Sequence, residues 1–179
     1  MGEPACQHVI VAPIDDPPGG WIHGIRQRHD PIAALVPPHV TLVYPFDAEF
    51  DAAALKTHMA EALAEFRELP ITLDGVSGAE GCYLWYDIKQ GNDALIAMHD
   101  RLYAGPLARY LDRQQSFQPH LTLGRIADPA RWREALDEIA ATTPRTIATV
   151  RRVISYRRCA DGTRRLEHAI HLPRYPGTH

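Results

Sequence analysis

The chain has 179 residues, 45% of them hydrophobic and 23% charged, with a net charge of −3. That balance suits one globular body and excludes a disordered or fibrous chain. No run of about 18 apolar residues occurs, so nothing reads as a membrane-spanning helix.

The first residues, MGEPACQHVIVAPIDDPP, have no basic start and no long apolar segment, so they read as the entry to a strand and not as a secretory leader. Val9 to Pro13 is that strand. The Pro/Gly/Asp-rich stretch 12–20 predicts a surface loop. Residues 20–35 carry weak helical spacing through Trp21, Ile25 and Leu35. Val40 to Tyr44, β-branched and apolar, is a strand between prolines. Leu55, Met59, Leu63 and Phe66 make one apolar stripe, which predicts an amphipathic helix over 51–67. Ile71 to Val76 is a strand.

The same order then returns. Tyr83 to Ile88 is a strand, and residues 93–112 are helical with a break at Gly105-Pro106. Leu121 to Ile126 is a strand. Asp128-Pro129 starts a helix, with the carboxylate as cap and the proline in the first turn. Residues 145–157 and 165–172 read as two strands joined by the Asp161-Gly162 turn. The pseudo-repeats run approximately 8–76 and 82–157, with a final strand at 165–172. No linker divides them, so residues 1–179 form a single bilobal domain.

Charge is divided unevenly. Residues 1–100 carry 5 basic and 15 acidic side chains, and residues 101–179 carry 14 and 7. All the basic residues of the second part are arginines, suited to planar, two-point contact with phosphate. A small phosphate ligand fits this asymmetry better than a long duplex. The three cysteines, Cys6, Cys82 and Cys159, are far apart and show no paired spacing. They read as reduced thiols of a cytoplasmic protein, with no disulfide framework.

One phrase occurs twice. Residues 38–42 are Pro-His-Val-Thr-Leu, residues 119–123 are Pro-His-Leu-Thr-Leu, and the histidines stand 81 residues apart. On a strand, side chains i and i+2 share a face. His39 therefore lies beside Thr41, and His120 beside Thr122, while Val40, Leu42, Leu121 and Leu123 point to the other side. Two such strands side by side place two imidazoles and two hydroxyls around one cleft. A neutral imidazole can take a proton from an oxygen attacking phosphorus, and an imidazolium can give one to the leaving oxygen. The hydroxyls can donate to the non-bridging oxygens. Neither phrase has a Cys, Asp, Glu or second His at chelating spacing, so no metal and no cofactor are expected. His168 and His171, three apart on a strand, point to opposite faces and read as structural.

These two phrases, within PPHVTLVYPF and PHLTLGR, resemble the paired His-x-Thr motifs of the 2H phosphoesterase superfamily, in particular its bacterial 2′-5′ RNA ligase-like branch. The resemblance implies an α+β, bilobal fold with two pseudo-symmetric lobes, each an antiparallel sheet flanked by helices, and a cleft between them. It implies a metal-independent phosphoesterase acting on 2′,3′-cyclic nucleotide or RNA-end phosphodiesters, with 2′-5′ ligation as a related activity. The alternative is a non-catalytic nucleotide- or RNA-binding module of the same fold. The catalytic positions carried over are His39, Thr41, His120 and Thr122. In members that open cyclic phosphates to the 2′-phosphate, the second motif's histidine is the usual base candidate. His120 then becomes the base and His39 the acid. The expected partner is a nucleotide or RNA-end phosphate and the expected state a monomer.

Three further residues are candidates for substrate binding. Arg125 follows the second motif but is out of phase with His120 on a regular pleat, unless Gly124 allows a bulge that turns it back. Tyr44 is out of phase with His39 in the same way and reads as core unless the strand end twists. Trp85 shares a face with Tyr83, and either can stack a base or pack the sheet. Of the pairs Arg151/Arg152, Arg157/Arg158 and Arg164/Arg165, at most one member each can face a cleft.

Overall fold

The computed structural model describes residues 6–15, 19–47, 50–79 and 82–175. Residues 16–18, the middle of the predicted 12–20 loop, lie outside this set. The elements among the described residues are, in chain order, β1 (Cys6–Pro13), α1 (Trp21–His29), β2 (His39–Asp47), α2 (Ala52–Ala62), β3 (Leu69–Ala79), β4 (Tyr83–Gln90), α3 (Asn92–Leu102), a 3₁₀ turn (Gly105–Tyr110), β5 (His120–Arg125), α4 (Pro129–Thr142), β6 (Thr146–Val150), β7 (Arg152–Cys159) and β8 (Arg164–His171).

Local chemistry sets the helix ends. The Asp51 carboxylate accepts from the Ala53 and Ala54 amides at 2.8 and 3.0 Å and starts α2. Asp128 does the same for α4 through the Arg131 amide at 2.8 Å, with Pro129 in the first turn. Helix α2 ends at Ala62, earlier than its apolar stripe suggests. Leu63 still packs into the core from the following turn.

These eight strands join one curled antiparallel sheet in the order β6-β3-β4-β5-β2-β1-β7-β8. The helices lie on one face, over a core that includes Val40, Leu42, Leu121 and Leu123 from the motif strands. Burying each such side chain stabilises the fold by about 1.5–3 kcal/mol. The two pseudo-repeats exchange parts. Strand β3 pairs in the half that holds β4 and β5, and β7 pairs in the half that holds β1 and β2. Likewise α1 packs on β5 and α3 on β2.

Two expectations are corrected. Residues 145–157 are not one strand: they break at Arg151, with β6 pairing β3 on one edge and β7 pairing β1 in the other half. The chain makes this crossing in one residue because the sheet curls until its ends approach. Glu68, before β3, donates its amide to Pro173, after β8, at 2.9 Å. Second, Cys6 and Cys159 are not reduced thiols. They stand opposite each other in the β1–β7 register and form a disulfide across 153 residues of sequence, while Cys82 stays free. Only strand pairing brings two such distant cysteines within reach.

Candidate active site

The two motif strands meet at the centre of the sheet, where Val40 pairs with Leu121. An antiparallel register around that pair sets His39 across from Thr122 and Thr41 across from His120. Each imidazole thus faces the hydroxyl of the other motif, on the face opposite the helices. The two rings are also held alike. His39 donates Nδ1–H to the Pro37 carbonyl at 2.8 Å, and His120 donates Nδ1–H to the Gln118 carbonyl at 2.7 Å. A carbonyl can only accept, so this bond fixes the neutral tautomer and leaves Nε2 as the reactive nitrogen.

The neighbouring side chains form a cleft of about 360 Å³ walled by Thr41, Tyr44, Trp85, Gln115, His120 and Thr122, among others. His39 does not line this wall; its charged neighbours are Arg26, Asp30 and His120. Trp85 stacks on His120 with ring centroids 4.0 Å apart and planes 19° from parallel. Asp87 lies opposite His120 in the β4–β5 register, and accepts from Ser77 Oγ at 2.5 Å and Lys89 Nζ at 3.0 Å.

Tyr44 and Arg125 reach the cleft side by one shared device. In β2 the pairing with β1 slips by one residue between Thr41 and Val43. In β5 the pairing with β4 slips likewise between Thr122 and Gly124. Each slip is a β-bulge that reverses the facing of the residues just after it, and in β2 a further slip between Val43 and Phe46 returns Phe46 to the core. Tyr44, five residues after His39, becomes exposed and lines the cleft. Arg125, five residues after His120, stands opposite Tyr83 and lies over that ring at 5.4 Å. Tyr83 lines the cleft, whereas Arg125 lines an adjoining cavity with Arg131 and His29. The backbone groups freed by the first bulge are not orphaned. Leu42 C=O accepts from the buried His99 Nδ1 at 2.8 Å, and Tyr44 N–H donates to the Tyr103 hydroxyl at 3.0 Å.

Burial is the main cause that pushes both catalytic candidates below the ordinary histidine pKa. Lesser causes divide them. At His39 the Arg26 guanidinium and His120 oppose protonation while Asp30 favours it; at His120 the Asp87 carboxylate favours the imidazolium. Trp85's ring face adds to that preference. Sequence reasoning missed Asp87, although it shares a face with Trp85 two residues earlier. It also missed Gln115, Ser116 and Gln118, whose irregular loop carries no periodic signal. Among the described residues, no three His, Cys, Asp or Glu side chains converge as a metal site would require.

A family model for the 2′-5′ RNA ligase superfamily matches residues 14–162. The chain belongs to that family. It is a phosphoesterase of the 2H type. Among curated proteins it is 30% identical over 122 residues to a protein of Geobacillus thermodenitrificans (strain NG80-2) named "Putative phosphoesterase", covering 66% of this chain and 69% of that one. A Bacillus cereus (strain B4264) relative with a similar name is 27% identical, covering 65% and 68%. The fold is similar to that of E. coli LigT crystallised with NADP+, at a TM-score of 0.56 and 22% identity over 96% of this chain and 99% of that one. LigT crystallised with 3′-AMP gives 0.53 at 20% identity, with 96% and 99% covered. No helix among the described residues of this 2H phosphoesterase is long and apolar enough to cross a membrane.

Proposed function

We propose that this 2H phosphoesterase hydrolyses 2′,3′-cyclic phosphodiesters of nucleotides or RNA ends without a metal, using His39 and His120 as its proton-transfer pair. The carrying observation is the Val40–Leu121 pairing, from which antiparallel geometry sets each tautomer-fixed imidazole across from the other motif's threonine. The 3′-AMP and NADP+ in the E. coli LigT crystals support a nucleotide as the ligand.

Water attacks phosphorus as one neutral Nε2 removes its proton. The bond to the 3′-oxygen breaks, and that oxygen takes a proton from the other imidazole, leaving a 2′-phosphate. Thr41 and Thr122 donate to the non-bridging oxygens. Tyr44, Trp85 and Arg125 bind the rest of the nucleotide. Ligation to a 2′-5′ linkage uses the same proton transfers with a 5′-hydroxyl attacking in place of water, and cleavage of that linkage runs them in reverse. Asp87 beside His120 favours the resting proton there, whereas at His39 the Arg26 guanidinium is paired with Asp30 and the two act in opposite directions. His39 is then the base and His120 the acid, the reverse of the assignment drawn from the family resemblance.

The test is hydrolysis of 2′,3′-cyclic nucleotides with EDTA present. His39→Ala and His120→Ala should each lower kcat by about 10²–10⁴-fold. Activity that survives both changes, or that chelator abolishes, would refute the two-histidine reaction. Nucleotide binding without any turnover would favour a binding module instead.

A further inference from the structure

Directly opposed like charges destabilise a strand pair, yet the β7–β8 ribbon has two arginine pairs in register, Arg157 with Arg165 and Arg158 with Arg164. One pair is compensated. Arg157 lies 3.3 Å from Glu167, and Arg165 acts on the Asp161 carboxylate in the turn. The other is not. Among the described residues Arg158 has no ion pair or hydrogen bond, and Arg164 donates only to the Gly162 and Thr163 carbonyls, at 3.1 and 3.0 Å. Both of their charges act on Tyr156, two residues before Arg158 on β7.

The uncompensated pair shares a face with the active site. Val11 pairs with Thr41 on one side and Ile154 on the other, so Thr41 and Ile154 point the same way. Arg158 follows Ile154 by four residues and keeps that facing. Strand spacing and rise place it roughly 16 Å from Thr41. The direct line is covered, because Val9, Val11 and Tyr156 are buried with Val36, but Tyr44, Pro45, Asp47 and Gln7 are exposed alongside it. A cavity of about 650 Å³ at the ends of β1, β2 and β7 is lined by Gln7, Pro45, Phe46, Asp47 and Arg158 among others; Tyr44 lines the catalytic cleft, and the next residue, Pro45, lines this cavity. Among the described residues lining that cavity, Asp47 is the one acidic group, two strands from Arg158 across Gln7.

We infer that Arg158 and Arg164 form a phosphate-binding subsite for single-stranded RNA that runs from the cleft past Tyr44 and Gln7. The inference rests on the reading above and narrows it: the preferred substrate is an oligonucleotide end and not a free cyclic mononucleotide. A mononucleotide is too short to reach both places. A single strand is flexible enough to follow the curl of the sheet, and its phosphates neutralise the facing guanidiniums.

Two substrates separate the cases: a 2′,3′-cyclic mononucleotide, and a short single-stranded RNA ending in the same cyclic phosphate. The double change Arg158→Gln, Arg164→Gln should lower kcat/KM on the RNA by about tenfold or more, with no change on the mononucleotide. Lysine at both positions should restore most of the loss, and Arg165→Gln on the opposite face should do nothing. The log–log salt slope for RNA binding, read by fluorescence anisotropy, should flatten by about 0.7 for each phosphate that is no longer neutralised. Equal loss on both substrates, no loss on RNA, or the same loss from Arg165→Gln would overturn the subsite. So would binding to phosphatidylserine vesicles that exceeds RNA binding and falls in the double variant. If neither substrate turns over, the catalytic reading fails, and the anisotropy comparison still decides the subsite.

Discussion

His39 and His120 have nearly the same immediate surroundings: a carbonyl two residues back on Nδ1, a threonine across the strand pair, and burial that disfavours the charged ring. Their difference comes from the charges around them: Arg26 paired with Asp30 beside His39, and Asp87 with Trp85 beside His120. A base must have lost its proton, which sets the acidic limb of a pH–rate curve; an acid must have kept one, which sets the alkaline limb. With both imidazoles pushed down, kcat/KM should peak on the acid side of 6.5. A maximum above pH 7 in the free enzyme would contradict the desolvated pair. Bound phosphate is an anion and favours the imidazolium, so the kcat profile should lie at higher pH than that of kcat/KM. Asp87→Asn removes the carboxylate that helps His120 hold its proton. The alkaline limb should therefore move down, and movement of the acidic limb instead would make His120 the base.

At the scale of elements, the site depends on two bulges that sit at matching places, just after each His-x-Thr phrase. The second includes Gly124, where a Cβ would come within 2.6 Å of the His29 Cβ and 2.8 Å of the His29 carbonyl oxygen at the end of α1. Backbone cannot give way as a flexible side chain does, so α1 or β5 must shift. Gly124→Ala should cost about 1–3 kcal/mol in urea denaturation. It should also lower activity, because β5 carries His120 and Thr122. Gly24, inside α1, meets nothing within 4 Å at the same position. Gly24→Ala should instead stabilise by about 0.5–1 kcal/mol, since alanine loses less entropy in a helix. Matching signs for the two changes would count against the packing described for Gly124.

Across the whole molecule, strands borrowed between the repeats tie the two halves together, and the disulfide ties the start of β1 to the end of β7. A bond closing so long a stretch restricts the unfolded chain strongly, and such bonds contribute about 2–4 kcal/mol. Dithiothreitol should lower the urea midpoint accordingly. The double change Cys6→Ala, Cys159→Ala should match the reduced protein and ignore the reductant. A midpoint unmoved by reductant would show that the bond does not form in solution. With those two cysteines joined, the cysteine count no longer speaks for a reducing compartment.

The order of residues along the chain was enough for most of the elements and for the candidate chemistry. Alternation along Val40–Leu42 and Leu121–Leu123 put apolar side chains toward a core and each imidazole beside a hydroxyl, a consequence of strand geometry alone. The repeated phrase marked two histidines out of ten as the candidates. The remainder belongs to the folded arrangement, because it depends on register and closure between distant segments. Tyr44 and Arg125 look misdirected on a regular pleat, and only strand pairing reveals the bulges that turn them. Arg151 looks like a mid-strand residue, and only the curl of the sheet makes it the crossing between two edges. Cys6 and Cys159 look unrelated until β1 and β7 lie side by side.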